Sequence, residues 1–448
     1  MHRRHFLASL GAAAVPATLL GQTPPPKADF TLRIAPASFE IAPRKVVKTI
    51  AYNGSVPGPL LRMKEGRPVT IDVFNDTGDA EIVHWHGLQI PSAVDGSMEE
   101  GTPMIAARAQ ARYTFTPAPS GTRWYHSHVH AGQNLKRATY TGQFGLIYIE
   151  PRSEPGNYDQ EIFLALKEWD PYLSSGGEQD DSIDVAYKLF SVNDRALGHG
   201  EPIRVKQGQR ILLRILNASA TITRKIAVAG HQFRVVAMDG NPVAVPKDVR
   251  TLELGPAERI DAVVEMNQPG VWILGAADDH DREHGMGIVI EYAGQSGEPH
   301  WLPPGDEPWD YTVFGNSGRP DSEAAQYEPI PLVFEKKFVG HHWVDNWTIN
   351  GKSFPKTDPI LVKANGRYRL VFDNRSDEAH PIHLHRHTFE LAKIAGLPTS
   401  GVYKDVVVVG AKSQTEVNLI ANNPGLTLFH CHQQMHMDYG FMTLMEYV

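Results

Sequence analysis

Leu428–His436 holds the only cysteine of the chain, Cys431, between His430 and His432, with His436 four residues further on. A sole thiol has no partner for an internal disulfide. Flanked by imidazoles, it offers the sulfur and nitrogen donors that copper and similar soft metals accept. Three other H-x-H steps stand in matched register with His430 and His432: His84 with His86, His126 with His128, and His383 with His385. Residues i and i+2 of a strand face one side, so each step sets two imidazoles side by side. Neutral imidazole is a ligand for copper, zinc or iron. One H-x-H is ordinary in a core or surface strand, but four in matched register point to a shared polynuclear metal site. Cys431 faces the opposite side of its strand from His430 and His432 and needs ligands of its own. His436 follows it, and His380 stands three residues before His383. One Cys with two His is the trigonal set of a blue-copper electron-transfer site. An electron accepted at the sulfur has a short covalent path to His430 and His432.

The elements that position these residues repeat. In Lys64–Asn75, Lys206–Asn217 and Lys363–Asn374 the Lys and the Asn stand eleven positions apart, and each segment runs through a Gly- or Asn-bearing turn into an alternating strand. The interval of about 140 to 160 residues is domain-sized. A second landmark recurs: Gly121 before Trp124–His128, Gly270 before Ile273–Ala277, and Gly425 before Leu428–His432. Nine and eleven residues past the repeat asparagine stand His84 and His86 in the first copy and His383 and His385 in the third. The same count gives Ile226 and Val228 in the second copy, and its second landmark gives Gly275 and Ala277. The middle copy therefore carries no ligand. Ser127 stands where Cys431 stands, so the sulfur site belongs to the third copy alone. Short alternating strands between Gly/Pro turns predict an all-β chain of three tandem β-sandwiches. Breaker-rich seams at Glu150–Gly156 and Gly294–Pro299 set the domains at residues 27–150, 151–296 and 297–448.

With 42% hydrophobic and 21% charged residues the composition is that of a globular protein, and the net charge of −8 argues against nucleic acid or an anionic membrane as partner. Arg3 and Arg4 precede an apolar, Ala-rich run to Gly21 and then Pro24–Pro26. This reads as a secretory signal over residues 1–26 that resembles the twin-arginine type, placing the mature protein in the periplasm or outside the cell. That route moves folded proteins, which suits a cofactor inserted before export. No later run reaches ~18 apolar residues, so no spanning helix is expected.

The boxes His84-Trp85-His86-Gly87, Trp124–His128, His380–His385 and His430–His436 resemble those of the three-domain, laccase-like multicopper oxidases, over roughly residues 30–448. The resemblance implies three cupredoxin Greek-key domains and four coppers. It assigns His380, Cys431 and His436 to the type 1 copper, and His84 and His383 to the type 2. His86, His126, His128, His385, His430 and His432 fall to the type 3 pair. It further implies one-electron oxidation of a phenolic or aromatic donor at type 1, with O2 reduced to water at the trinuclear cluster. The axial position of type 1 reads Phe441, which cannot coordinate. That implies a three-coordinate copper of fairly high potential. Some relatives carry an acid within the last box, where this chain has Gln433, Gln434 and Met435. Asp95, just after the first box, matches a family acid and is the candidate for proton delivery. The competing readings are a metallo-oxidase acting on Cu(I) or Fe(II), a copper-free structural relative, and a nitrite reductase. Intact boxes count against the second, and four H-x-H steps against the third.

The other mature histidines (130, 199, 231, 280, 284, 300, 341, 342 and 387) match no ligand position and read as structural or surface residues. His280–His284 reads as a solvated loop. Met435, Met437, Met442 and Met445 read as packing around the sulfur site. The acids of Ser376–Ala379 either attract cationic donors or solvate a loop.

Overall fold

The three repeat segments fold as Val69–Asn75, Arg210–Asn217 and Arg367–Asn374, each the centre of a sheet in a computed structural model that describes residues 26–153, 156–175, 183–317, 326–337 and 346–448. Residues 1–25 of the leader, His341 and His342 lie outside the described residues. Every repeat strand has a parallel neighbour on one side (Phe30–Ala42, Gln160–Trp169, Glu328–Lys337) and an antiparallel one on the other (Gln110–Phe115, Arg259–Glu265, Gln414–Ile420). Burial alternates along Val69–Asn75, as expected of a strand with one face on a core. Arg210–Asn217 is buried almost throughout, because the first domain covers its outer face: Arg214 lies over the Tyr148 ring, and Leu216 shares a core with Trp124 and Phe144.

The final asparagine of each repeat is a clamp. The buried Asn75 side chain donates to the carbonyls of Asp79 at 2.8 Å and Ile105 at 3.0 Å, and accepts the Thr77 amide at 3.0 Å. Asn217 holds Ile222, Leu254 and Ser219 in the same way, and Asn374 holds Glu378, Gly410 and Ser376. One side chain thus satisfies several backbone groups of the loop that leads into the histidine strand.

The histidine strands lie in a second sheet of each domain. Val83–His86 pairs antiparallel with Gly121–Ser127, setting His84 opposite His126. His380–Leu384 pairs with Thr427–Cys431, setting His383 opposite His430 and Ile382 opposite Cys431. In the middle domain Arg224–Val228 pairs with Val271–Ala276, with Ile226 opposite Ala276. That pairing corrects the spacing count: Ile226 corresponds to Ile382, and the H-x-H positions of the middle domain are Ala227 and Ala229. Asn217 reaches the carbonyl five residues ahead, whereas Asn75 and Asn374 reach four, so the middle loop is one residue longer. The absence of imidazoles there is unchanged.

The first and middle domains meet backbone to backbone. A Cβ on Gly121 would lie 1.9 Å from the Gly240 carbonyl oxygen, so this approach requires glycine. Among the described residues no helix is long and apolar enough to cross a membrane.

Candidate metal centres

The strands bring eight imidazoles together where the first and last domains face each other. His84, His86, His126, His128, His383, His385, His430 and His432 are all buried. Their rings interleave across the boundary: His84 stacks on His385 at 3.9 Å between centroids, and His86 on His383 at 3.8 Å. Potential ligand atoms of His84, His383 and His385, and of His128, His385 and His430, lie within 4.8 Å of one another.

Six of the rings are held from outside by an oxygen. The Nδ1–H groups of His84, His126, His383 and His430 donate to the carbonyls of Asp95, Ser127, Asp405 and Cys431 at 3.0, 2.9, 2.7 and 2.8 Å. His385 Nδ1 donates to Asp95 Oδ2 at 2.9 Å, and His86 Nε2 to Asp405 Oδ1 at 3.0 Å. An N–H spent outward leaves the other nitrogen a lone pair that points inward. His385 Nε2 and His430 Nε2 face each other at 3.1 Å. His84 Nε2, His383 Nε2 and both nitrogens of His128 and His432 are buried with no protein partner. Burial, then the neighbouring histidines, pushes His86, His126, His383, His385, His430 and His432 well below the usual imidazole range, and His128 down to about 4. The cage is neutral and offers lone pairs to a cation.

A second centre lies behind the same strand. Cys431 Sγ is 3.6 Å from His436 Nδ1 and 3.8 Å from His380 Nδ1, and the two nitrogens are 3.2 Å apart. Outward, His380 Nε2 donates to Ser376 Oγ at 2.8 Å, and His436 Nε2 lies 3.3 Å from Glu378 Oε2. Burial raises the Cys431 thiol above its ordinary range and lowers His380. Burial alone would raise Glu378, but His436 and Lys336 hold it down to about 2. Phe441, fully buried, stands over His380 at 4.9 Å between ring centroids. Met442 lies opposite His430 in the strand pairing and packs with Leu428 and Met437, away from the sulfur.

Three segments, residues 34–154, 172–293 and 328–448, match family models described as multicopper oxidase. The multicopper oxidase MmcO of Mycobacterium tuberculosis is 30% identical over 93% of this chain and 86% of its own. The chain belongs to the multicopper oxidase family. Among solved structures, a multicopper oxidase from Pseudomonas thermotolerans superposes with a TM-score of 0.74 at 25% identity, covering 94% of this chain and 100% of its own. A metallo-oxidase from Campylobacter jejuni gives 0.71 at 22%, covering 93% and 90%, which bears on the fold. This multicopper oxidase is a copper oxidoreductase that uses O2, built from three cupredoxin-like domains. Its donor chemistry fits copper: neutral imidazoles, one thiol that a metal would deprotonate, and orphaned inward nitrogens that a buried site otherwise leaves unsatisfied.

Asp95 ends the short helix Ser92–Asp95 and is fully buried, its Oδ2 2.9 Å from His385 Nδ1 and 3.1 Å from His84 Nδ1. Gly96 permits this: a Cβ there would lie 1.8 Å from the Val83 carbonyl oxygen. Sequence reasoning missed Glu100, whose Oε1 accepts the Leu428 amide at 2.5 Å and lies 3.4 Å from His385 Nδ1. Burial and then Asp95 raise its carboxyl well above the usual range. Ser376 and Asp405 were missed as well. Lys404-Asp405 directly before Val406–Val409, a charged pair ahead of an apolar run, was the available signal.

The remaining described histidines serve structure where contacts are seen. His231 and His387 bond the hydroxyls of Tyr292 and Tyr447 at 2.6 and 2.7 Å, and His130 bridges Glu99 and Asp438. The His280–His284 stretch is solvated as expected but is not a loop: His280 lies in a helix, Asp279–Glu283, capped by Asp278 and followed by His284.

Proposed function

We propose that this enzyme takes single electrons from phenolic and other aromatic donors at His380, Cys431 and His436, as type 1 ligands, and delivers them to O2 at the eight-histidine cage. Within the cage, His84 and His383 are the type 2 ligands, and His86, His126, His128, His385, His430 and His432 the type 3 ligands. The observation that carries the reading is one strand, Thr427–Cys431, with its continuation His432. It presents Cys431 to one centre and His430 and His432 to the other. When bound, copper supplies the one-electron redox steps that join donor oxidation to four-electron reduction of O2 to water. Of the three type 1 donors only His436 reaches the surface, at 6% exposure against 0% for His380 and Cys431, so electrons enter at its ring edge. Trp347 covers both rings, at 4.2 Å from His436 and 4.6 Å from His380, and keeps water off the sulfur. Asp95 Oδ2 orients His84 and His385 and hands on protons that the buried Glu100 carboxyl replaces.

One observation favours a second reading, a metal-ion donor. Glu378, about one-third exposed, places a carboxylate on the outer nitrogen of His436. Lys336 lies 3.0 Å from the same carboxylate and offsets its charge, which supports the aromatic donor first. Turnover of a phenol is compared with that of Cu(I) and Fe(II) on copper-loaded protein, for wild type and Glu378→Gln. The aromatic reading expects the phenol to lead and the variant to keep it. A metal-ion lead that Glu378→Gln abolishes would replace it.

The same proposal places domain boundaries at residues 27–150, 151–296 and 297–448, because each named sheet closes within one of these spans. It includes export by the twin-arginine route on Arg3 and Arg4. Replacing both arginines with lysine and finding the enzyme still exported would remove that element.

A further inference from the structure

The middle domain supplies no donor residue, yet it reaches the cage. Arg259, at the start of the buried strand Arg259–Glu265, sends both terminal nitrogens to Asp405 of the last domain: Nη1 to Oδ1 at 2.8 Å and Nη2 to Oδ2 at 2.6 Å. Asp405 Oδ1 also accepts His86 Nε2 of the first domain. The carbonyl of the same residue accepts His383 Nδ1. One residue therefore holds two imidazoles from two domains. Asp239 of the middle domain fixes the pair from behind. Its Oδ2 accepts the amides of Asp405 and Val406 at 3.2 and 3.1 Å, and its Oδ1 accepts the Arg259 amide at 3.0 Å. Arg259, Asp405, Asp239 and His86 are all fully buried. The chain makes room for them: a Cβ on Gly87, directly after His86, would lie 2.8 Å from both Arg259 Nη2 and Asp405 Oδ2.

Five of the six held rings, those of His84, His126, His383, His385 and His430, spend Nδ1 outward and turn Nε2 in. His86 is reversed, with Nε2 on Asp405 and Nδ1 turned toward His126 Nε2 at 3.4 Å. We propose that Arg259 and Asp405 are positioning residues of the cage, through which the donor-free middle domain fixes the tautomer and orientation of His86. The inference rests on the copper reading above. A carboxylate behind a ligand imidazole sets which nitrogen binds and how the ring is turned, and losing it weakens metal binding about 10- to 100-fold. A guanidinium with two bonds to that carboxylate holds it in one orientation, which a lone ammonium does less well.

The test uses copper-loaded full-length protein challenged with graded chelator, for wild type, Asp405→Asn, Arg259→Lys and a control, Arg214→Lys. Arg214 joins the middle domain to the first through Thr122 and Asp261 without touching Asp405. Two readouts separate the centres: the blue band of the Cys431 site, and the near-ultraviolet band and spin coupling of the cage. Asp405→Asn is expected to release cage copper at about 10-fold lower chelator or less, with the blue band holding as in wild type. Arg259→Lys shifts the same way by a smaller factor, and Arg214→Lys shifts neither. The inference is overturned if both variants hold cage copper as wild type does, if the two bands fall together, or if Arg214→Lys reproduces the selective loss. Wild-type protein that shows neither band would instead sink the copper-site reading beneath it.

Discussion

Behind the strand Thr427–Cys431 and its counterparts Gly121–Ser127 and Val271–Ala276 each domain has the same pocket, and the three are filled differently. In the last domain it holds His380, Cys431 and Phe441, with His436 on the helix Gln434–Asp438. In the first domain the matching residues are Glu81, Ser127 and Gln143, and the Glu81 carboxylate accepts Gln143 Nε2 at 3.0 Å and Ser127 Oγ at 3.4 Å. In the middle domain they are Arg224, Ala276 and Met286, and the ion pair Arg224–Asp281 spans the pocket. Asp281 lies on Asp279–Glu283, placed after Ala276 as the His436 helix is placed after Cys431. The backbone is shared: the amides of Cys431, Ser127 and Ala276 donate to the carbonyls of Phe441, Gln143 and Met286 at 3.1, 3.0 and 3.0 Å. Scaffold and strand register are therefore constant, and a few side chains decide whether the pocket is an electron entry, a carboxylate network or a structural ion pair.

Cys431→Ser breaks the comparison most severely, because it makes the last pocket resemble the first. Donor turnover should fall to background and the blue band should vanish. Ser127 shows that serine suits a strand whose other face holds two cage imidazoles, so the near-ultraviolet band should remain. A variant that still oxidised donors would mean that electrons enter elsewhere.

Asp95→Asn tests the cage instead of the pocket. No carboxyl stands at Gln433, Gln434 or Met435 to take over, so O2 turnover should drop about 100-fold, the lower range for losing a general acid. Reduction of the blue band by donor under anaerobic conditions should stay fast, because Asp95 touches His84 and His385 and not the sulfur site. Equal slowing of both half-reactions would remove its proton role.

These contrasts also show what could be read from the chain. The H-x-H steps were legible because strand period two and ligand type are local properties. The three sandwiches were legible because Lys-to-Asn spacing repeats. Asp405 was not, because it lies 319 residues from His86 and only folding joins them. Arg259 sits in a domain that spacing had set aside. The middle register came out one residue off because counting cannot see a loop that lengthens by one before its strand. The Asp279–Glu283 helix is too short to leave a hydrophobic period, though Asp278 is an ordinary cap for it.

Glu81→Gln sharpens the comparison between the first and last pockets through pH. Burial raises Glu81 to about 7, against the pull of Arg137 and the Ser127 hydroxyl. The folded pKa lies above the unfolded one, so its contribution is fully present below about pH 4.5. It is lost as pH rises through 7, by roughly 3 kcal/mol in all. Glutamine does not titrate. Urea midpoints for the two proteins should therefore converge at acid pH, separate in favour of the variant as pH rises from about 4.5 to about 7, and keep that gap above it. A gap independent of pH would show that Glu81 is ionised in the fold like an ordinary carboxylate.

Phe441→Met is the mildest change and addresses the position that carries Phe441, Gln143 and Met286 in the three pockets. Met286 is fully buried at that position in the middle domain, so the scaffold admits methionine there. A swap of similar volume should cost under about 1.5 kcal/mol. Phe441 brings carbon to the sulfur side, whereas a thioether would bring a weak axial donor. Such a donor stabilises Cu(II) more than Cu(I), so the reduction potential of the blue site should fall and its oxidation of high-potential phenols should slow. The cage lies on the other face of the strand, and its near-ultraviolet band should not move. An unchanged potential would mean that residue 441 is not axial to the sulfur site.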